Sequence, residues 1–424
     1  MWPATDNRSN RRSEANMRIL FLSHYFPPEV NAPATRTYEH CKRWVELGHE
    51  VTVLSCVPHH PMGRAYPGYK NRWLHKEIKD GITAIKVLTY ITPNEGFIKR
   101  TFNYVFYMIM AIVIAPFIGK ADVVISTSPQ FFNGLAGYFV SRIKRAPWLL
   151  EIRDLWPESI LAVGALTNKR AIRLLEWIEQ FVYRKADHIV SVTDSFKSHI
   201  EERGAVAENI SVIKNGVDLT RFEWQAPDEA FAHQLGLENK FIAAYVGTQG
   251  LAHGLDTLLR AAERLKHRRD IHFIMAGDGA DRTRLEAEAE RLKLNNFSSL
   301  GQLPKSDMPK LLSICGVNLV LLRKLDLFLS VIPSKIFESM AMKKPLIMGV
   351  EGEGRNIVDD AGAGIGITPE DDHALANAIE SLADEPSLCI ELGEKGRRYV
   401  TQHFNRQDLA DRYAAILGQL ASLD

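Results

Sequence analysis

Short apolar runs alternate with longer helical patterns from Met17 almost to the end of the chain, and halfway along the alternation starts again. The first set of runs covers residues 17–23, 48–55, 82–88, 123–126, 148–152 and 189–192. The second covers 241–246, 271–276, 298–300, 317–322 and 346–349. Strands separated by helices pair in parallel, with helices on both faces of the sheet. Two such sets predict an α/β chain of two Rossmann-like domains facing one another. A chain of 424 residues is also too long for one ordinary core. The turn-rich stretch 213–222, centred on Asn215-Gly216, marks the seam. The expected organisation is a disordered tail over 1–16, an N-terminal domain over 17–222 and a second domain over 223–404. A closing helix over 405–424 packs back across the seam. Open α/β sheets bind ligands at the carboxyl ends of their strands, which makes the cleft between the domains the expected site.

Charge narrows the partners. Lys and Arg number 52 against 51 Asp and Glu, a net charge of +1, so there is no global footprint for nucleic acid. Cys41, Cys56, Cys315 and Cys389 form no Cys-x-x-Cys pair and read as reduced cytosolic thiols, without a disulfide framework or a zinc site. No HExxH or other metal-spaced cluster occurs, and neither metal nor cofactor is expected. Residues 1–16 are polar and lack the apolar run of a secretory signal; Met17, directly before the first strand, is a candidate natural start.

Residues 102–119 read FNYVFYMIMAIVIAPFIG, with Asn103 the strongly polar side chain and Lys99, Arg100 and Lys120 as flanks. Two readings stay open: a helix buried in a large α/β domain, or a helix lying in the membrane interface with basic flanks on anionic headgroups. A full span is rejected. It would separate the first strands from the rest of their domain, and Pro116 interrupts a run already at the short limit.

In the second half, residues 332–348 predict a helix opened by Pro333 and closed before Pro345, then a strand. Lys335 falls in the first turn, where the helix dipole invites an anion, and Glu338 lies on the same face. That pairing suits a phosphorylated sugar, with Lys335 and backbone N–H groups on phosphate and Glu338 on ribose hydroxyls. A solvated Lys335–Glu338 pair is the plain alternative. Residues 245–254, YVGTQGLAHG, form a glycine-rich turn between strand and helix, where Gly247, Thr248 and Gly250 could approach a ligand. A second turn at 275–279, carrying Gly277, and a third at 301–304 follow the next two strands. With the Lys335 helix they would line one crevice.

The first half has no G-x-G-x-x-G after its first strand, which argues against a nicotinamide or flavin dinucleotide. Its loop, HYFPPEVNAPATR, is stiffened by prolines and places Arg36 early in the next helix, as a surface arginine or a phosphate or acceptor contact. The segment 151–158, EIRDLWPE, puts charges at a strand's carboxyl end, for acid/base or hydroxyl-binding work or for a structural pair of Arg153 with Asp154 or Glu158.

FPPE with NAPA-x-R, then GHEVTVLS, RDLWPES, KNGVD, the GDG turn and PSKIFESMA, in this order, resemble the family 4 glycosyltransferases of the GT-B fold. The likeness runs from about Met17 to the end and is closest to the branch that makes bacterial surface polysaccharides, including colanic-acid and O-antigen fucosamine-type transferases. It implies a retaining enzyme that moves a sugar from a nucleotide diphosphate donor, UDP-sugars favoured, to a lipid-linked saccharide acceptor. The enzyme would be cytoplasmic and peripheral to the inner membrane face, held there through residues 99–120. The resemblance places the donor on the C-terminal domain. Lys335 and the turn of Gly247, Thr248 and Gly250 would hold the diphosphate, and Gly277, Ser334 and Ile336 are further expected donor contacts. Glu338 would take the ribose, and residues 301–303, with Gln302 and Leu303, the base. Asp154, Lys335 and Glu338 are the expected catalytic groups, and Asn31, Arg36, Arg153 and Glu158 the acceptor contacts. Two positions depart from the family pattern. Ser330 stands where many members carry an earlier glutamate, and the basic residues many place around the Gly247 turn are replaced by Thr248 and His253. Phosphate charge would then rest on Lys335, Arg323 and helix N-termini. An epimerase on the same scaffold and a non-catalytic nucleotide-sugar-binding protein are the competing readings; a dehydrogenase is least favoured.

Overall fold

The computed structural model describes residues 16–422 apart from 30, 61, 93–96, 163–165 and 305; the expected tail lies, except for Asn16, outside the described residues. The chain divides into two compact units, residues 1–214 with 407–424, and residues 215–406. The division falls after Lys214 rather than after Phe222. Val217 and Phe222 are buried in the second core with Phe337 and Phe404, and Val217 bridges to Asn405.

The first unit holds β1 (Arg18–Leu22), β2 (Glu50–Cys56), β3 (Leu74–Lys79), β4 (Ile82–Val87), β5 (Val123–Thr127), β6 (Trp148–Ile152), β7 (His188–Ser191) and β8 (Ile210–Val212). Their order in the sheet is β3-β4-β2-β1-β5-β6-β7-β8, parallel except for the β3–β4 pair. Strands covered on both faces read as continuous apolar runs, which is why β1, β5 and β6 are legible. Its helices are α1 (Ala32–Glu46), α2 (Phe97–Ile114), α3 (Asn133–Lys144), α4 (Glu158–Ala162), α5 (Lys169–Lys185) and α6 (Asp194–Glu202). One core lies under α2, α3 and α5, around Tyr107, Val140 and Val182. On the opposite face α1 packs with the chain's last helix (Arg406–Ala421), whose Leu409, Tyr413 and Leu417 join Phe21 and Trp44. The Trp44 indole N–H donates to the Ala410 carbonyl at 3.0 Å.

The apolar segment resolves into a core helix with one open side. Tyr107, Met110, Ala111 and Ile114 of α2 enter the core, and the Tyr107 hydroxyl donates to the Leu54 carbonyl at 2.7 Å. Asn103 is spent internally on the Tyr90 carbonyl, at 2.5 Å. By length and composition the helix could cross a membrane, yet 39% of its apolar window is buried within the protein.

The second unit holds β9 (Phe241–Val246), β10 (Ile271–Ala276), β11 (Phe297–Gly301), β12 (Val317–Leu321), β13 (Leu346–Gly349) and β14 (Gly364–Gly366), all parallel, in the order β11-β10-β9-β12-β13-β14. Its helices are α7 (Glu229–Leu235), α8 (Asp256–Arg264), α9 (Arg282–Arg291), α10 (Met308–Ile314), α11 (Lys335–Ala341), α12 (Glu353–Ala361), α13 (Asp372–Asp384) and α14 (Pro386–His403). The last helix of the chain, α15, is the Arg406–Ala421 segment already placed on the first unit. The strand order reverses direction between β9 and β12.

Candidate active site

A parallel sheet opens a crevice where its strand order reverses, because the loops leaving the two adjacent strands diverge to opposite faces. In the second unit those loops are the Gly247 turn after β9 and the segment from Leu322 to α11 after β12. The three glycine turns lie side by side. Gly247 N–H donates to Ala276 O at 2.9 Å, Gln249 N–H to Asp278 O at 2.9 Å, and Gly277 N–H to Gly301 O at 2.8 Å.

The glycines do different work from that expected. Gly277 has a φ of +134°, and a Cβ there would lie 1.9 Å from the Gly247 carbonyl oxygen; one on Gly279 would lie 2.2 Å from the Gln249 carbonyl oxygen. Both are glycine so that one turn can pack on the next, which gives Gly277 a structural reason independent of any ligand. Gly247 is the exception. Its φ is +139°, and a Cβ there would meet the Lys335 ammonium at 2.9 Å.

Pro333 lies just before the helix rather than opening it. Its carbonyl accepts from Ile336 N–H at 3.1 Å, and Ser334 O accepts from Phe337 N–H at 3.1 Å. The Ile336 side chain is in the core and its N–H is committed, so Ile336 is withdrawn as a donor contact. Lys335 points back under the Gly247 turn. Its Nζ is buried without a hydrogen-bond partner and sits 3.7 Å above the Tyr245 ring. Burial pulls its pKa down to about 7, and the nearby Glu338 charge opposes the fall. Tyr245 in turn donates to Thr248 O at 2.7 Å and pins the turn. Gln249, 0% exposed, leaves both amide atoms without a partner beside the same turn. His253 Nδ1 lies 3.3 Å from Gly250 N; burial, then the Lys335 charge, lowers its pKa. An ammonium held over an aromatic face and lacking an anion is costly, and a phosphate oxygen in contact would offset that cost.

Around this group stand Thr248 and Ser334, both exposed, and Glu338, half-buried one turn along α11. Arg323 donates its N–H to Ala252 O at 2.9 Å and keeps its side chain exposed, with Nε 3.7 Å from Glu370. Gln302, exposed, and Leu303, half-buried, leave the end of β11, farther along the same sheet edge. Tyr245 and Gln249 are the residues that sequence reasoning missed. An aromatic at the end of an apolar run reads as core, and only the fold turns its face toward Lys335.

In the first unit several expected contacts are occupied. Arg36 is 7% exposed, pairs with the buried Glu151 at 3.0 Å and donates to the Ile213 and Lys214 carbonyls. It is a tie between β6 and the end of the unit, and is corrected from an acceptor contact. Asn31 caps α1, accepting from Ala34 N–H at 2.8 Å. Arg153 leans on the Ala32 and Pro33 carbonyls at 3.3 and 3.4 Å; burial draws its pKa down to about 10. Asp154 is hydrogen-bonded by Ser159 and Trp156 and raised by burial, beside Phe131, Val182 and Tyr183. Those bonds hold its carboxyl within the first unit, at a pocket that Ser128 and Trp156 also line. Glu158 is exposed and pairs with His199 at 3.2 Å.

A polar recess lies beyond the carboxyl ends of β1, β2 and β4, lined by Tyr25, His59, His60, Arg100, Asn103 and Tyr104. Burial lowers the pKa of His59 and His60, and the Nε of Arg100 is buried without a partner. Scattered histidines carried no signal in the sequence; the sheet order brings them together. Among the described residues no group of three His, Cys, Asp or Glu is arranged to hold a metal, and all four cysteines are free.

Comparison with known proteins agrees with this architecture. The family model described as glycosyl transferases group 1 matches residues 228–399, and that of the glycosyl transferase 4-like domain matches residues 31–216. The chain is similar to the putative colanic acid biosynthesis glycosyl transferase WcaI of Escherichia coli, at 25% identity over 86% of this chain and 91% of that one. It is also similar to the probable glycosyltransferase WbjE of Pseudomonas aeruginosa, at 27% identity over 65% and 69%. Among solved structures, the sucrose-phosphate synthase of Thermosynechococcus elongatus superposes with a TM-score of 0.77 at 17% identity, covering 96% of this chain and all of that one. HepE of Anabaena in complex with UDP gives a TM-score of 0.70 at 17% identity, over 95% and 100%. The chain belongs to the family 4 glycosyltransferases of the GT-B fold, on the side of the family similar to bacterial surface-polysaccharide enzymes.

Proposed function

We propose that this glycosyltransferase binds a nucleoside diphosphate sugar, a UDP-sugar in preference, with its diphosphate against Lys335 and the Gly247 turn. The observation that carries the reading is the Lys335 ammonium, buried under a glycine with no hydrogen-bond partner. HepE, of the same fold, has been solved with UDP and with UDP-glucose, which supports the choice of donor. Glu338 takes the ribose hydroxyls, while Thr248, Gly250, Ser334 and Arg323 flank the phosphates and Gln302 and Leu303 face the base. The anomeric C–O bond to phosphate breaks, the acceptor hydroxyl oxygen attacks from the same face, and its proton passes to the leaving phosphate. Such retention of configuration asks the protein to neutralise developing phosphate charge and position the acceptor, which a cationic site without a placed nucleophile suits. The acceptor is a lipid-linked saccharide received by the first unit, with Arg153, Glu158 and the His59–Arg100 recess as contacts. Residues 99–120 hold the enzyme to the inner face of the cytoplasmic membrane.

A thermal-shift panel of nucleotide sugars tests the donor, and UDP-sugars should raise the melting temperature most. Glu338→Ala should weaken donor binding by about 1–3 kcal/mol through lost charge-assisted hydrogen bonds. Calorimetry showing unchanged affinity would remove Glu338 from the site. Conversion of a nucleotide sugar without any acceptor would favour the epimerase reading instead.

A further inference from the structure

The open side of α2 does not stand by itself. Phe102, Ile109 and Val113 recur along one face of the helix and are all exposed, while the opposite face is in the core. Phe117, just beyond its end, is 80% exposed. α3 packs beside α2, and α5 beside α3, in one layer over the same face of the sheet. Both neighbours continue the pattern: Phe139 and Ile143 are exposed on α3, and Leu174 and Trp177, each 57% exposed, on α5. Trp177 stacks on Phe181, which meets Tyr138 of α3 edge-on, so the aromatic surface runs unbroken from one helix to the next. An outward row of large apolar side chains on every helix of a layer marks a surface built to be covered.

Charge says what covers it. These three helices carry nine Lys and Arg, Arg100 among them turned into the His59 recess, against two carboxylates, Glu176 and Glu179, of which Glu179 is buried. The whole chain carries 52 basic and 51 acidic residues, so its excess of positive charge is concentrated on this layer. Lys99, Arg142, Arg170 and Arg173 are exposed around the apolar rows. Aromatic and aliphatic side chains surrounded by cations fit the interface of a bilayer containing anionic lipid, where rings enter the headgroup region and cations meet phosphate.

We propose that the layer of α2, α3 and α5 is a membrane-docking face, and that Trp177 and Leu174 of α5 insert along with the apolar row of α2. This deepens the membrane part of the proposed function. It also sets which side of the first unit lies on the lipid, since residues 99–120 form only one strip of the face.

The test is flotation of the full chain with phosphatidylcholine vesicles, with and without phosphatidylglycerol, at low and high salt. The expected result is binding that requires the anionic lipid, falls with salt, and drops by about tenfold or more in Leu174→Ser/Trp177→Ser. A charge variant, Arg170→Glu/Arg173→Glu, should lose the anionic-lipid preference while melting as the wild type does. UDP binding is measured on the same variants. Retained UDP binding with lost flotation supports the docking face, whereas flotation that is equal in wild type and both variants overturns it. Absence of flotation, or a dimer in solution that the α5 variants dissociate, also overturns it. None of these outcomes touches the donor site, whose failure would show as absent UDP binding in the wild type.

Discussion

Holding the Lys335 ammonium away from water costs the folded state, because its Nζ makes no hydrogen bond and sits on the Tyr245 ring, with the nearby Glu338 charge opposing the effect of burial. The sign of the pH dependence follows. The folded pKa is about 7 against 10.5 for an ordinary lysine, so between those values the unfolded chain binds more protons. The residue's penalty is full below about pH 7 and fades as pH rises toward 10.5, so its contribution to stability improves with pH in that window. Lys335→Met keeps the aliphatic stem and removes the charge. It should raise stability at neutral pH by about 1–3 kcal/mol in chemical denaturation and flatten the pH slope, while donor binding is lost. A less stable variant would contradict the description of this lysine as an unpaired cation. The pair Lys335 and Glu338 was legible because spacing alone places them on one face at a helix start. The burial of Arg36 was not, since only the sheet brings Glu151 and the 213–214 carbonyls to its guanidinium.

Elements show the same divide. Strands covered on both faces were readable from their apolar runs, whereas β3, β8 and β14 were not. β3 is LHKEIK, a charged and exposed antiparallel edge, and β14 is Gly-Ile-Gly, too short to carry a pattern. α11 begins two positions later than its proline suggested, because Pro333 receives a tight turn from Ile336 instead of entering the helix. The turn glycines were recognisable as turns, but loop-on-loop contact had no signature in sequence. That contact gives a controlled experiment. Gly204 and Gly277 both have positive φ, at +96° and +134°, but a Cβ on Gly204 meets nothing within 4 Å while one on Gly277 meets the Gly247 carbonyl. Gly277→Ala should therefore cost about 1–3 kcal/mol more than Gly204→Ala in denaturant melts, and should also weaken UDP binding by displacing the Gly247 turn. Equal costs would mean that the two turns do not lean on each other.

At the scale of the molecule, each unit carries its own sheet and its own cores, and the chain's last helix completes the first unit through Tyr413 and Leu417. The repeated α/β pattern made two units readable, and the near-balance of charge left no global footprint for nucleic acid while concealing the basic layer on α2, α3 and α5. The proposed donor site lies on the second unit and the proposed membrane face on the first, so substitutions should break each without the other. The proposed donor site depends most on Lys335 as the phosphate partner. A lysine with a pKa of about 7 is mostly neutral at pH 8 and must gain a proton to meet a diphosphate. UDP titrated calorimetrically at pH 8, in buffers of differing ionisation enthalpy, reads that proton directly. The full-length protein should take up close to one proton per UDP bound, and Lys335→Met should bind far more weakly. Equal affinity in the two proteins, with no proton taken up by either, would contradict it.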